Sequence, residues 1–249
     1  MSNSEVAVIV GAGQGLSAAL ARMLAGKGTQ VVLAARNVSK LSALVADTGS
    51  RAVTCDATKP EQVEALCADV EATEGIPNLV VFNPSRRIPG ALVDIDPGEV
   101  AAALMVTAFG GFLVGQAAAR RMLARGSGSI LFTGASASVK GYPKSAAFAM
   151  GKFALRGLAQ SMARELAPQN IHVAHFVIDG GIRKLGDTQD DAQDDAQDDA
   201  QDDAQDDAQD DADKTLHPDA IAESYLAVHQ QQRSAWTWEM ELRPWVEKF

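Results

Sequence analysis

The chain has 249 residues, 47% of them hydrophobic, enough for one α/β domain with a substantial core. Its formal charge of −10 misleads, because thirteen aspartates and no basic residue fall within residues 190–213 and the remainder carries +3. A body so near neutrality excludes a charge-driven case for nucleic acid or an anionic membrane as partner. The two cysteines, Cys55 and Cys67, are too few for a disulfide framework and suit a reducing, cytoplasmic location. The opening Met1-Ser2-Asn3-Ser4-Glu5 lacks the basic and apolar pattern of a secretion signal.

Along the chain, apolar β-branched runs alternate with helical patterns. Strands are expected over 6–10, 30–35, 51–54, 79–82, 129–133, 172–178 and 238–242, and helices over 15–26, 40–46, 61–73, 99–124, 146–167 and 218–230. Strict alternation implies a parallel sheet with helical crossovers. A run such as Val6-Ala7-Val8-Ile9-Val10 fits a sheet buried on both sides. The expected fold is therefore α/β: a Rossmann-type doubly wound, seven-stranded, mostly parallel sheet with helices on both faces. It forms one dinucleotide-binding domain over 1–249, with an insertion at 189–212. Residues 100–119 carry no charge and are long enough to span a bilayer. Their Ala- and Gly-rich content, with Thr107 and Gln116 inside, favours a closely packed core helix and no membrane.

The first strand runs into Gly11-Ala12-Gly13-Gln14-Gly15-Leu16-Ser17 and then a helix. Glycines at such a turn let the backbone approach a pyrophosphate, whose charge faces the free amides of the helix start. Alone the motif is weak, but the strand–turn–helix context with a second strand soon after makes it specific. The second strand ends at Ala34-Ala35-Arg36-Asn37. An NAD site places an acid there for the ribose 2′-hydroxyl. Here Ala35 holds that place, and Arg36 offers a planar fork for a 2′-phosphate, unless it is only a solvent-facing arginine. NADP(H) is the expected cofactor.

Residues 189–212 are Gln-Asp-Asp-Ala repeated six times. With no large apolar side chain to bury, this stretch is expected to be solvated. A calcium site would need turn residues that wrap oxygens around one ion, and no glycine interrupts the run. The four histidines form no metal-binding pattern. His172 and His175 would face opposite sides of a strand, while Trp236 and Trp238 would share one side and serve packing.

Taken together, these segments resemble the short-chain dehydrogenase/reductase family, over essentially the whole chain except the repeat. Gly11, Gly13 and Gly15 match its glycine loop, with Ser17 in place of the last glycine. The resemblance implies that Asp56 contacts the adenine and that Phe82-Asn83-Pro84-Ser85 is a degraded Asn-Asn-Ala-Gly segment. It also implies that Ile178-Asp179-Gly180-Gly181-Ile182 lies beneath the nicotinamide. By the same resemblance Gln14, Leu16, Asn83 and Ile182 join Gly11, Gly13, Gly15, Arg36, Asp56 and Lys152 in holding the cofactor.

The family's Tyr-x-x-x-Lys reads Phe148-Ala149-Met150-Gly151-Lys152 here. Thirteen positions before Phe148, where the family has its serine, stands Ala135, and Thr107 replaces the supporting asparagine. Reducing a carbonyl needs a hydride on carbon and a proton on oxygen, and Phe148 has no proton to give. Ser136, Ser138 and Tyr142 are the nearby hydroxyls that can substitute. Candidate catalytic residues are thus Lys152, Phe148, Ser136 and Thr107. Two readings stay open: an NADP(H)-dependent oxidoreductase with an altered site, or a non-catalytic NADP(H)-binding sensor or scaffold. The substrate is unreadable beyond a small carbonyl or alcohol. The two long helices are expected to meet in a homodimer or homotetramer.

Overall fold

A computed structural model of the protein describes residues 4–183 and 214–247, and the acidic repeat at 189–212 lies outside them. The described strands are β1 (Val6–Val10), β2 (Gln30–Ala35), β3 (Arg51–Thr54), β4 (Leu79–Phe82), β5 (Gly128–Thr133), β6 (Ile171–Ile178), β7 (Gly181–Ile182), β8 (Thr215–Leu216) and β9 (Glu239–Leu242). Seven of them form one sheet in the order β3-β2-β1-β4-β5-β6-β9, every neighbouring pair parallel. A two-residue ladder of β7 and β8, too short to show as a periodic pattern, stands apart.

The helices are α1 (Leu16–Gly26), α2 (Ser42–Thr48), α3 (Pro60–Thr73), α4 (Pro97–Leu104), α5 (Gly110–Arg125), α6 (Ala146–Leu166) and α7 (Pro218–His229). Both faces of the sheet are covered. Val6, Val8 and Val10 of β1 pack with Val63 and Leu66 of α3, Val114 of α5 and Leu155 of α6. Ala7 and Ile9 turn the other way, to Leu20 of α1, Leu44 of α2 and Ile221 of α7. The alternating faces explain why β1 is buried at every position. Strand order reverses between β1 and β4, and the crevice beyond their carboxyl ends is where such sheets take ligands.

Three sequence expectations need correction. The helix expected without a break over 99–124 spans Pro97–Arg125 but contains a π-helical turn, Met105–Phe109, between α4 and α5. By length and composition it is apolar enough to cross a membrane. In the fold its small side packs inward: a Cβ on Gly115 would lie 3.1 Å from both Phe132 and Met162. The helix expected to start at Lys40 begins with a 3-10 turn, Val38–Leu41, because the Asn37 side chain accepts from the Ser39 amide and caps it early. Trp236 does not share a strand with Trp238, since β9 begins at Glu239; it stacks on His172 at 4.6 Å.

Between α6, β6 and β9 lies a partly buried ion network. Arg156 donates to both carboxylate oxygens of Glu239, at 2.6 and 2.7 Å, and His175 Nδ1 lies 3.1 Å from Oε2. Burial, against the attraction of Glu239, pushes His175 down to about 4. Burial also lowers His172 and His229. A histidine held neutral in the fold but protonated when unfolded makes stability fall as pH drops from its unfolded value, 6.5, towards 4. Going from pH 7 to pH 5 should therefore cost about 2 kcal/mol through His175 alone. Urea unfolding at the two pH values measures this, and the loss should shrink by a similar amount in His175→Asn.

Candidate active site

At the crevice, the glycine loop is built around a left-handed Gly11 (φ 78°), where a Cβ would come within 2.8 Å of the Pro84 ring. Ser17, buried in the first turn of α1, donates its hydroxyl to the Gly11 carbonyl at 3.2 Å. The Asn83 amide donates to the Ser17 Oγ at 3.1 Å and to the Gly11 carbonyl at 3.4 Å. Asn83 therefore braces the loop from behind. Ser17, where the family pattern has glycine, is the post it braces against.

The start of α1 has no side-chain cap and no acid in its first turn, and Cβ atoms on Gly13 and Gly15 would meet nothing within 4 Å. Uncapped amides opening on clear space suit a pyrophosphate. Leu16 enters this surface by its backbone only, because its side chain is buried in the core shared by α1 and α7. Gln14 lies exposed and reaches the Lys40 carbonyl at 3.3 Å.

Arg36 and Asp56 meet at the far end, because Ala35 and Thr54 are partners in the β2–β3 pair. Desolvation would raise the Asp56 carboxyl. Two hydrogen bonds from Thr58 and the charges of Arg36 and Lys59 outweigh it and hold the group below its ordinary value. Arg36 itself is exposed and open to an incoming anion. Ile182 sits on the other side of the crevice in the small β7–β8 ladder, packed against the core.

The chemical end lies over β5. Lys152 is 2% exposed, and its ammonium donates to the Thr133 carbonyl at 2.8 Å. Phe148, one turn earlier on α6, is also buried, with its ring centroid 5.6 Å from Lys152 Nζ. Thr107, buried in the π-helical turn, faces Gly151, where a Cβ would come 3.0 Å from its own Cβ. Its hydroxyl accepts from the Arg86 amide at 3.3 Å.

Ala135 opens a 3-10 turn, Ser136–Ser138, with Ser136 half-buried. Ser138 is wholly buried and accepts from the Ala135 amide at 3.1 Å, so its hydroxyl serves the turn. Tyr142 is exposed on the loop before α6, with Lys140 Nζ 5.7 Å from its ring. Phe148 and Lys152 are brought together, and Thr107 meets the same helix at Gly151; Tyr142 lies on an exposed loop beside Lys140.

Sequence reasoning missed a cation packed against Phe148. The Arg87 guanidinium carbon lies 4.3 Å from the Phe148 ring centroid. Its neighbour Arg86 is ion-paired with Glu99 of α4. The sequence signal was a pair of arginines directly after Phe82-Asn83-Pro84-Ser85, and nothing in one dimension links them to Phe148. Among the described residues, no group of three or more His, Cys, Asp or Glu is placed to hold a metal ion.

Comparison with known proteins identifies the family. The profile of the short chain dehydrogenase family matches residues 5–191. A solved short-chain dehydrogenase from Rhodopseudomonas palustris is 34% identical, with a TM-score of 0.78, covering 98% of this chain and all of that one. A metagenomic short-chain oxidoreductase solved in complex with NADP is 26% identical, with a TM-score of 0.75, over 98% of this chain and 99% of that one. The human 3-oxoacyl-[acyl-carrier-protein] reductase is 28% identical over 171 residues, 68% of this chain and 72% of that protein. The chain belongs to the short-chain dehydrogenase family.

Proposed function

We propose that this protein is an NADP(H)-dependent oxidoreductase whose proton-delivery group has been replaced. The observation that carries the reading is the buried pair on α6: Lys152, 2% exposed, beside a buried Phe148 at the mouth of the dinucleotide crevice. A dinucleotide bound there supplies or accepts a hydride. The protein's residues do the rest. The uncapped start of α1 holds the pyrophosphate, Arg36 the 2′-phosphate, Asp56 the adenine, and Lys152 the nicotinamide ribose. Phe148 takes the position of the family's tyrosine, Ala135 that of its serine and Thr107 that of its asparagine. The ring of Phe148 shapes the site without titrating. Proton transfer to the substrate oxygen then falls to Ser136, the half-buried hydroxyl beside Ala135, or to water. NADP bound to a relative of the same fold supports the choice of cofactor.

A second reading, a non-catalytic NADP(H)-binding protein, is favoured by the loss of two hydroxyls at once, at Phe148 and Ala135. Both readings keep the cradle and differ in the chemistry.

The cofactor assignment predicts tighter binding of NADPH than NADH, with a preference that falls in Arg36→Ala. A charged hydrogen bond of this kind contributes roughly 1.5–3 kcal/mol. Calorimetric titration of both cofactors reads it directly; equal affinities in the unaltered protein would rule Arg36 out as a phosphate anchor.

For the chemistry, Phe148→Tyr combined with Ala135→Ser should raise NADPH-dependent carbonyl reduction by ~10²–10⁴, the usual worth of a positioned acid. Turnover followed at 340 nm over a panel of aldehydes and ketones measures the gain. No turnover by either form would select the non-catalytic reading.

Small residues let α5 pack closely on the sheet, and the π-helical turn and α5, both packed against α6, leave Met105, Phe109 and Phe112 exposed, as are Met150 and Phe153 of α6. An apolar face of this kind suits a second copy of the chain, in a homodimer or homotetramer. Sedimentation at micromolar concentration should show the oligomer, and Phe109→Glu combined with Phe153→Glu should shift it towards monomer.

A further inference from the structure

Asp179 is fixed in place at the end of the crevice. It follows the last residue of β6, and its amide extends the ladder by donating to the Leu242 carbonyl of β9 at 2.8 Å. The turn after it is set by Gly180 (φ 144°), where a Cβ would lie 2.8 Å from the Pro244 ring. Along β6, Phe176 and Ile178 pack into the core shared with α1 and α7, while His175 turns to Glu239, the partner of Arg156 on α6. Alternation therefore sends Asp179 to the α6 side, the side of Phe148 and Lys152. Its ion pair agrees. The Lys140 ammonium, on the loop that leads into α6, lies 3.5 Å from Asp179 Oδ2.

The pair is lopsided. The Asp179 side chain is 11% exposed and that of Lys140 is 43% exposed. Water screens the cation well and the carboxylate poorly, so the negative end of the pair dominates inside the crevice. Arg36 and Asp56 mark the adenosine end, at β2 and β3. A dinucleotide crosses the switch point between β1 and β4, so its other half reaches the ends of β5 and β6. The nicotinamide ring of that half is neutral when reduced and positively charged when oxidised. We propose that Asp179 makes this site prefer the oxidised cofactor over the reduced one, and that Lys140 tempers the preference. Favouring the oxidised ring makes the reduced cofactor a stronger hydride donor while bound, through a charge already in position. A site without a hydroxyl at 148 and 135 thereby gains on the cofactor side what it lacks on the substrate side. The inference rests on the reading of the crevice as an NADP(H) site and adds the redox state that the site favours.

The test is calorimetric titration of NADP+ and of NADPH into the full-length protein, read as the ratio of the two dissociation constants. Asp179→Asn keeps the shape and removes the charge, so it should weaken NADP+ relative to NADPH by about tenfold, the scale of one partly screened charge. Lys140→Met should move the ratio the other way, by less, and decides the question if the asparagine variant does not fold. A purely structural role for Asp179 would weaken both forms alike and leave the ratio where it was. A ratio unmoved in the deciding variant, or moved in the opposite direction, would overturn the inference. If NAD+ and NADH bind where NADP+ and NADPH do not, the 2′-phosphate assignment falls alone, and the same ratio is read with the unphosphorylated pair. Failure of every dinucleotide to bind would end both readings.

Discussion

The end of β5 holds this structure together. Thr133 is the strand's last residue, and it is used from both faces of the sheet. Its carbonyl accepts from the Lys152 ammonium of α6, and its hydroxyl accepts from Tyr225 of α7 at 2.9 Å. An ammonium out of water is costly unless hydrogen-bonded, so the Thr133 carbonyl is what makes a buried Lys152 tolerable. Tyr225 is fully buried and stacks on Phe176 at 3.6 Å; burial raises its pKa, so it remains the protonated donor. The next residue must be small. A Cβ on Gly134 would lie 2.6 Å from the Phe176 carbonyl and run into the His175 ring. One strand end thereby fixes the height of α6 over the sheet, and with it the place of Phe148.

The opposite wall is set by the π-helical turn. An extra residue in one turn of a helix redirects the side chains that follow, and such turns recur at functional sites. Here it points Thr107 at Gly151, where a Cβ would fit only if Thr107 gave way by a few tenths of an ångström. Thr107 then holds the Arg86 amide, and Arg86 reaches back to Glu99 on α4. The position of Arg87 follows from this chain of contacts, which runs from helix to loop to ring. In this arrangement Thr107 positions the loop that carries Arg87.

Much of the frame was legible in the residues themselves. Uniformly apolar runs such as 6–10 and 79–82 are strands because only a sheet covered on both faces buries every position, and all seven principal strands were located to within a residue. The glycine loop was legible because its spacing encodes a backbone requirement, visible in the positive φ of Gly11. Three features were not legible, each for a physical reason. The β7–β8 ladder is two residues long, below any periodicity. The π-helical turn costs no change in composition, so an apolar helix looks unbroken. Arg87 acquires meaning only when a loop after β4 and a helix after β5 are folded against each other. Asn83 was placed at the cofactor by resemblance, and its side-chain amide also braces Gly11 and Ser17, which no spacing rule foretells.

The retention of Lys152 has a structural side as well as a place in the proposed site. Its ammonium satisfies the Thr133 carbonyl, so replacing it by an apolar side chain would leave that buried acceptor unpaired, a loss of about 1–3 kcal/mol whatever the protein does. Phe148 and Arg87 are different. A phenylalanine at the mouth of the crevice needs no arginine over its face, since an apolar ring is covered as well by an aliphatic neighbour. The arginine brings a permanent charge to the rim, in a loop held by Thr107, Glu99 and the Lys144 carbonyl. With its guanidinium carbon 4.3 Å from the ring centroid, the arginine covers Phe148 and holds a charge beside the crevice.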